Sequence, residues 1–384
     1  MADFDKKHKK ILITGGAGFI GSKLALKLIE KGYIITVLDN LSTQIHGENC
    51  YKSALYLSIK DKVHFIKGCI LNKEDWRRAL QNQDVVIHLA AETGTGQSMY
   101  EIEKYTDVNI KGTAIFMDIL ANETHSIKKI ILASSRAVYG EGKYHCPKDS
   151  IVYPLAREEK NMIKGDFNVK CPICGTNVEV MATDEESKIH PISIYGISKY
   201  VQEQMFQTIG KSLNIPFVIF RYQNVFGAGQ SLSNPYTGIL SIFSTRIKNG
   251  NDILVFEDGN ESRDFIYIDD VIRATILGLE KEEANNEIFN VGSGIRTNLI
   301  TVADSLKKAY KSNINIVLSG LFRKGDIRDN FSDSSKIKSR LGFETEIDFA
   351  SGIEKFANWV NSQEIREDLF ETSIMEIKKK GLYK

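Results

Sequence analysis

Short, nearly continuous apolar runs alternate with stretches of helical spacing along the first half of the chain. The apolar runs at 10–14, 34–38, 63–67, 85–89 and 130–134 predict five strands. After the first run, leucine and isoleucine recur at helical intervals over 21–30, which predicts a helix there. Apolar strands that are separated by helices indicate a parallel sheet with helices on both faces.

The second half of the chain is less regular. The pattern predicts a long helix over 192–213, strands over 217–221, 264–268 and 288–291, and helices over 301–310 and 352–360. The stretch 231–259 is rich in Ser, Asn and Gly, so we expect irregular structure there. The segment 141–188 breaks the alternation of strand and helix, and we treat it as an insertion.

Length and charge limit the possible functions. The chain has 384 residues, enough for one large or two modest domains, and a formal net charge of +1, which gives no sign of a nucleic-acid partner. The basic run 6–10 is expected to be a solvated lead-in rather than a binding arm. No apolar run approaches the ~20 residues that span a bilayer, and no signal peptide precedes the first strand, so we expect a cytoplasmic protein without a membrane partner. Its five cysteines are then expected to be thiols or metal ligands.

A glycine-rich turn follows the first predicted strand. Gly15, Gly18 and Gly21 have the spacing of a turn that lets a pyrophosphate approach the first helix, whose N-terminus then faces the anion. The second strand ends in Asp39, which would accept hydrogen bonds from ribose hydroxyls and repel a 2′-phosphate. We therefore predict a dinucleotide site that takes NAD rather than NADP. The alternative is a structural glycine turn with a capping aspartate.

Tyr195 and Lys199 lie four residues apart and therefore share one face of the predicted helix. A tyrosine ionises near pH ~10, and a neighbouring ammonium is one of the few groups that can lower its pKa. Ser135 ends the fifth predicted strand, at the edge of a parallel sheet where ligands bind. Separately, these residues could be two solvated side chains and a helix cap. Together and in this order, they predict an acid/base centre beside the dinucleotide.

Further motifs follow the same order along the chain. They are His88-Leu89-Ala90-Ala91, Asn109, Arg221-Tyr222-Gln223-Asn224, Arg263-Asp264-Phe265 and Asn290-Val291-Gly292-Ser293-Gly294. With the glycine turn and Ser135, Tyr195 and Lys199, they make the chain resemble the extended short-chain dehydrogenase/reductase family over nearly its whole length. The resemblance implies an α/β fold, a Rossmann doubly wound parallel sheet with a smaller C-terminal α/β substrate domain. It places the NAD-binding domain at 1–221 with 264–298, the substrate-binding domain at 222–263 with 299–384, and a homodimer in solution.

The resemblance also implies roles for individual residues. Ser135 would hydrogen-bond the reacting hydroxyl, Tyr195 would be the acid/base, and Lys199 would bind the nicotinamide ribose and lower the pKa of Tyr195. The implied cofactor contacts, besides Tyr195 and Lys199, are Gly15, Gly18, Phe19, Ile20, Gly21, Asp39, Asn40, Ile70, Leu89, Ala90, Ala91, Asn109 and Tyr222. The implied contacts to a nucleotide-diphosphate sugar are Thr93, Ser135, Arg136, Asn224, Arg263, Arg323 and Asp326. Cys69 stands where family members usually have an acidic residue that meets the adenine, which puts that contact in doubt.

Within the family, the chain looks most like the nucleotide-sugar 4-epimerases. Related 4,6-dehydratases place Asp-Glu after the serine or threonine, and those carboxyls eliminate water; here Arg136 and Ala137 occupy the two positions. The segments 93–102, 134–142 and 230–238 resemble the bacterial group that contains dTDP-L-rhamnose 4-epimerase. We expect C4 inversion through a 4-keto intermediate, on a dTDP-6-deoxyhexose or a UDP-hexose. The alternatives are a 4,6-dehydratase, a 4-keto reductase, or a noncatalytic NAD-binding sensor or scaffold.

The insertion contains a cysteine motif. Cys171 and Cys174 form a Cys-x2-Cys knuckle of the kind that binds zinc, and Cys146 supplies a third thiol. Asp149, or His145, could complete the four ligands of a structural zinc site. The alternative is an ordinary packed ribbon with free thiols.

Overall fold

The computed structural model describes residues 9–236 and 238–383, so residues 6–8 of the basic run lie outside the described part. The strands are β1 (Lys10–Thr14), β2 (Ile34–Asp39), β3 (His64–Lys67), β4 (Val85–His88), β5 (Lys129–Ser135), β6 (Tyr144–Cys146), β7 (Ser150–Val152), β8 (Glu179–Val180), β9 (Phe217–Tyr222), β10 (Asn224–Phe226), β11 (Ile253–Val255), β12 (Ser262–Tyr267), β13 (Glu287–Val291), β14 (Arg296–Asn298), β15 (Ile316–Leu318) and β16 (Asp329–Asn330).

The helices are α1 (Phe19–Glu30), α2 (Thr43–His46), α3 (Ala54–Ile59), α4 (Lys73–Leu80), α5 (Thr95–Ser98), α6 (Ile102–Tyr105), α7 (Gly112–Asn122), α8 (Glu159–Met162), α9 (Ile194–Ser212), α10 (Ile239–Lys248), α11 (Ile268–Glu280), α12 (Leu299–Ala309), α13 (Ser335–Leu341), α14 (Phe349–Asn361) and α15 (Phe370–Lys379). A π-helical turn over Thr106–Lys111 joins α6 to α7. Across the described residues, no helix is long and apolar enough to cross a membrane.

Seven parallel strands form the central sheet in the order β3-β2-β1-β4-β5-β9-β13. The strand order reverses between β1 and β4, and this reversal opens a crevice at the carboxyl ends of the strands. β1 and β4 are almost entirely buried because helices cover both faces of the sheet. The α/β fold with a doubly wound parallel sheet, expected from the sequence, is confirmed.

The predicted strands and helices lie within a few residues of the observed ones, except in 231–259. That stretch was expected to be irregular, but it contains α10 and β11. The apolar side chains Leu240, Phe243 and Ile247 give α10 a buried face, and packing therefore outweighs the weak helix propensity of its Ser and Thr residues. The predicted strand 264–268 is β12, which lies outside the central sheet.

Smaller sheets lie beyond the crevice. β12 pairs with β10, β14 and β16, and β11 pairs with β15. One hydrophobic core joins the central sheet to these elements, since it contains Ile11 and Ile87 as well as Val302 and Phe356. The division into an NAD-binding and a substrate-binding domain stays a prediction.

The insertion forms a unit of its own on the surface. Its strands β6, β7 and β8 pair antiparallel in the order β7-β6-β8. Its small core has five buried residues: Tyr144, Cys146, Val152, Val169 and Cys171. The short helix α8 lies between β7 and β8 in the chain.

Candidate active site

A cavity of about 550 Å³ opens at the carboxyl ends of the central strands. It brings together all but one of the residues that the sequence predicted for cofactor and substrate. Its lining includes Gly15, Gly18, Phe19, Ile20, Gly21, Asp39, Asn40, Ile70, Leu89, Ala90, Ala91, Thr93, Ser135, Arg136, Tyr195, Lys199, Tyr222, Asn224, Arg263, Arg323 and Asp326.

The exception is Asn109, which does not line the cavity. It is fully buried in the π-helical turn, where its side-chain amide bonds both main-chain groups of Glu92 and donates to Ser198 Oγ at 2.9 Å. All of its polar atoms are therefore used inside the protein. In this structure Asn109 supports the crevice wall and α9, and its contact with the cofactor stays a prediction.

The glycine turn has no room for larger residues at two points. Gly15 has φ +67°, and a Cβ there would lie 2.8 Å from the Ala90 backbone. A Cβ on Gly21 would lie 2.4 Å from the carbonyl oxygen of Gly15. Asp39 fixes the turn from the side, because its carboxylate accepts hydrogen bonds from the backbone N–H groups of Ala17 (2.9 Å) and Leu41 (2.8 Å). These contacts form a cradle for a pyrophosphate at the N-terminus of α1.

Ser135 and Tyr195 meet over the crevice. Ser193 caps α9 by accepting a hydrogen bond from the Gly196 N–H at 3.1 Å, which places Tyr195 in the first turn. Ser135, at the end of β5, lines the same cavity as Tyr195. Burial raises the pKa of Tyr195, while the Ser135 hydroxyl and the charge of Arg136 act to lower it.

Lys199 differs in one respect from its expected role. Its ammonium donates to the carbonyl oxygen of Ala133 at 2.8 Å, and burial lowers the pKa of Lys199 to about 7 while Glu203 acts to raise it. Lys199 is not among the groups that shift the pKa of Tyr195 in this structure. The cation that acts to lower the pKa of Tyr195 is instead Arg136.

A buried charge pair that the sequence analysis missed lies behind this centre. Glu203 accepts from Arg221 Nε at 3.0 Å, Arg221 Nη2 at 2.8 Å and Ser134 Oγ at 2.6 Å. Arg221 also donates to the Tyr139 hydroxyl (2.8 Å), which in turn donates to Asn290 Oδ1 (2.8 Å). The network ties the motifs around Tyr139, Arg221 and Asn290 to the helix that carries Tyr195.

The far end of the cavity is rich in arginine. Arg136 donates to Asn224 Oδ1 at 3.2 Å. Arg263 donates to the carbonyl oxygens of Ser262, Ile327 and Arg328, while Arg323 pairs with Asp326 at 2.7 Å. A dianionic diphosphate is the kind of group that such a set of guanidinium forks binds.

Three further polar side chains line the cavity with buried atoms that have no hydrogen-bond partner among residues 9–236 and 238–383: Gln223, Gln230 and Glu261. Burial raises the pKa of Glu261 to about 7, and the neighbouring Glu257 also raises it. Such atoms are free to meet a polar ligand. No sequence motif singled them out, since isolated Gln and Glu residues are usually solvated. Cys69, which stands where family members usually have an acidic residue, also lines the cavity, and its backbone N–H donates to Asp75.

The cysteines of the insertion also come together. Cys146, Asp149, Cys171 and Cys174 each place one ligand atom within 4.8 Å of the others. His145, the alternative fourth ligand, is exposed and is not part of this group, because successive side chains of β6 point to opposite faces. The structure therefore selects Asp149 as the fourth member.

The crevice at the strand-order reversal, the glycine cradle, Asp39 and the Ser135–Tyr195–Lys199 set define a dinucleotide-dependent enzyme of the short-chain dehydrogenase/reductase type. The sequence profile of the NAD dependent epimerase/dehydratase family matches residues 11–159 and 172–292. The chain belongs to this family.

Individual relatives agree with this assignment. The chain is 34% identical over 354 residues to dTDP-L-rhamnose 4-epimerase of Burkholderia thailandensis, covering 92% of this chain and 95% of the other. Its structure resembles UDP-glucose 4-epimerase of Thermotoga maritima with UDP-glucose (TM-score 0.75, 30% identity, 92% and 98% covered). It also resembles UDP-glucuronic acid 4-epimerase of Bacillus cereus in complex with UDP-glucuronic acid and NAD (TM-score 0.75, 25% identity, 92% and 99% covered).

Proposed function

We propose that this protein is an NAD-dependent nucleotide-sugar 4-epimerase in the synthesis of cell-surface polysaccharide precursors. The observation that carries the proposal is that Ser135 and Tyr195 line one crevice, in which Arg136 and Ala137 replace the two dehydratase carboxyls. Inversion at C4 needs one proton to leave the C4 oxygen and to return, whereas dehydration needs a second, positioned acid and base.

The crevice residues fit NAD. The turn at Gly15 and Gly21 has no space for a Cβ, and its backbone can therefore lie against a pyrophosphate. Asp39 lines the same cavity and would accept hydrogen bonds from the ribose hydroxyls. Bound there, NAD would accept the hydride from C4 of the sugar and give it back. Lys199 lies in the same cavity, and we assign it to the nicotinamide ribose.

The protein's own residues would handle the proton. The Tyr195 phenol oxygen accepts the proton of the C4 hydroxyl, and Ser135 hydrogen-bonds the same hydroxyl. The positive charge of Arg136 favours the ionised phenol at this stage. After the 4-keto sugar has turned its other face towards the cofactor, Tyr195 returns the proton to the C4 oxygen.

The substrate we propose is a nucleoside diphosphate linked to a hexose, either a dTDP-6-deoxyhexose or a UDP-hexose. Arg263 and Arg323 would bind the diphosphate. Asn224 and Arg136 would contact the part of the substrate next to the sugar. Thr93 and Asp326 would complete the contacts. The names of the relatives given above include both dTDP-sugar and UDP-sugar epimerases. They support a nucleoside diphosphate sugar as the substrate but do not distinguish thymine from uracil.

The proposal is tested by incubating the purified protein with dTDP-L-rhamnose, UDP-glucose and UDP-glucuronic acid and following C4 by ¹H NMR. C4 inversion of one of them, without net change of absorbance at 340 nm, is expected. Net formation of reduced cofactor from added NAD or NADP would indicate a 4-keto reductase working in reverse, and loss of water from the sugar would indicate a 4,6-dehydratase. No reaction with NAD still bound would favour the sensor or scaffold.

The finer parts of the proposal are a homodimer, a location in the cytoplasm, the two-domain division, and a structural zinc ion held by the cysteines of the insertion. Size-exclusion chromatography with light scattering tests the dimer, and cell fractionation tests the location.

A further inference from the structure

The insertion has too small a core to fold firmly by itself. Its three strands are two or three residues long. Two of its five buried core residues, Cys146 and Cys171, belong to the cysteine cluster. Units with so few buried residues usually rely on disulfides or a metal ion for stability. The cysteines are all free thiols in this structure, so a metal ion is the remaining candidate.

The ligand atoms of the cluster lie close together, at distances a few tenths of an ångström shorter than those of a tetrahedral zinc site. A Zn–S bond of about 2.3 Å and a Zn–O bond of about 2.1 Å put neighbouring ligand atoms roughly 3.5–3.8 Å apart at the corners of a tetrahedron. Cys146 Sγ lies 3.5 Å from Cys174 Sγ. Asp149 Oδ2 lies 3.3 Å from Cys146 Sγ and 3.2 Å from Cys171 Sγ.

Polar groups around the cluster suit ionised thiols. The backbone N–H of Ile173 donates to Cys171 Sγ at 3.4 Å, and Thr176 Oγ1 lies 3.2 Å from Cys174 Sγ. Hydrogen bonds of this kind orient metal ligands from outside the coordination sphere. Four protein ligands leave no open position for a substrate, so the site is structural.

A buried arginine connects the insertion to the substrate cavity. Arg157, which follows β7, makes a two-pronged ion pair with Glu257, a cavity residue, with both N–O distances 2.7 Å. Its Nη2 also donates to the carbonyl oxygen of Asp326 at 3.2 Å. The arginine side chain is only 4% exposed. The position of the insertion therefore bears directly on the loop 322–328, which carries Arg323 and Asp326.

Two more contacts hold the same loop. Phe322 packs in a small cluster with Met162 and Phe167 of the insertion. Lys324 pairs with Glu159 of α8 at 2.7 Å. Contacts from the insertion thus lie on both sides of Arg323.

We propose that Cys146, Asp149, Cys171 and Cys174 bind one zinc ion, and that this ion, by folding the insertion, holds the substrate loop 322–328 in its binding position. The metal site stands on its own geometry. The link to substrate binding rests on the proposed function.

The metal site is tested by the zinc content of the purified protein after incubation with zinc sulfate and desalting. We expect about one zinc per chain, nearly all of it lost in Cys174→Ser, whose thiol is exposed and lies outside the core. Cys50→Ser, at a half-buried cysteine outside the cluster, is the matched control and keeps the zinc. Asp149→Cys also keeps it, because a fourth thiolate replaces the carboxylate. Wild-type protein without zinc, or equal zinc in Cys174→Ser, would overturn the site.

The link to the cavity is tested by calorimetric titration with UDP and dTDP. We expect Cys174→Ser to bind the preferred nucleotide about fivefold or more weakly, with the content of bound NAD unchanged. Arg157→Lys, which keeps the charge but loses the fork, weakens binding while retaining zinc. Equal affinity after loss of zinc would overturn the link. If neither nucleotide binds the wild type, the proposed function fails, while the zinc content still decides the metal site.

Discussion

Glu203→Gln should destabilise the protein far more than an equivalent change on its surface. The carboxylate of Glu203 is fully buried and accepts three hydrogen bonds, two from Arg221 and one from Ser134. An amide keeps one accepting oxygen, but it presents N–H groups to Arg221 and leaves that guanidinium as an uncompensated buried charge. Breaking a buried pair in this way costs about 3–5 kcal/mol of the free energy of unfolding. Urea unfolding followed by circular dichroism measures the change.

The chain offers a matched control with the same charge separation. Lys27 and Glu30 form an ion pair of 2.8 Å, equal to the Arg221 Nη2–Glu203 distance, but their side chains are 54% and 63% exposed. Glu30→Gln should change the free energy of unfolding by less than about 0.5 kcal/mol. If the two variants differ by less than about 1 kcal/mol, burial does not determine the strength of the Glu203 pair and the reasoning fails.

Glu203→Gln should also alter the pH dependence of turnover. Glu203 acts to raise the pKa of Lys199, which burial lowers to about 7. Without that charge the pKa of Lys199 falls further, so the ammonium is lost at lower pH. The alkaline limb of the kcat/KM profile should therefore move to lower pH, and an unchanged limb would contradict this role.

Further variants test the crevice. Tyr195→Phe should lower turnover by at least about 100-fold with NAD still bound, and turnover near the wild-type rate would contradict its role as acid/base. Gly21→Ala should abolish the copurification of NAD, measured by chromatography of the released cofactor, because the new Cβ would lie 2.4 Å from the Gly15 carbonyl oxygen; normal NAD content would contradict the cradle. Because the pKa of Glu261 is raised to about 7, its ionisation makes the wild type less stable as pH rises from about 4.5 to 7. The Tm of Glu261→Gln minus the Tm of the wild type should therefore be larger at pH about 8 than at pH about 5. An equal difference at the two pH values would contradict this.

Local signals in the sequence were enough to predict the central sheet and most of the residues that line the cavity beside it. β1 was predicted with its observed bounds, because a short apolar run that ends in a glycine turn has few alternatives. The spacing of Gly15, Gly18 and Gly21 was enough to predict the dinucleotide-binding turn. By contrast, α10 was missed because its Ser and Thr residues are weak helix formers, and only its packing against the core makes it a helix.

Long-range charge pairs could not be predicted. Glu203 sits in a polar stretch of α9 and is indistinguishable by type from a solvated residue, since its partner Arg221 is 18 positions away. Arg157 is further still from its partner Glu257, at a separation of 100 positions. The position of Asn109 outside the cavity lining could not be predicted for a related reason: its partners Glu92 and Ser198 come from other parts of the chain.

The central claim, that hydrogen leaves and returns at C4 without passing through solvent, is tested most directly by running the reaction in D₂O. The product is analysed by NMR at C4 and at the neighbouring carbons. We expect a C4-inverted sugar that carries protium at C3, C4 and C5, because the C4 hydrogen moves as hydride and only the hydroxyl proton that Tyr195 handles exchanges with water. Deuterium at C4, or at the carbon on either side of it, would contradict the mechanism.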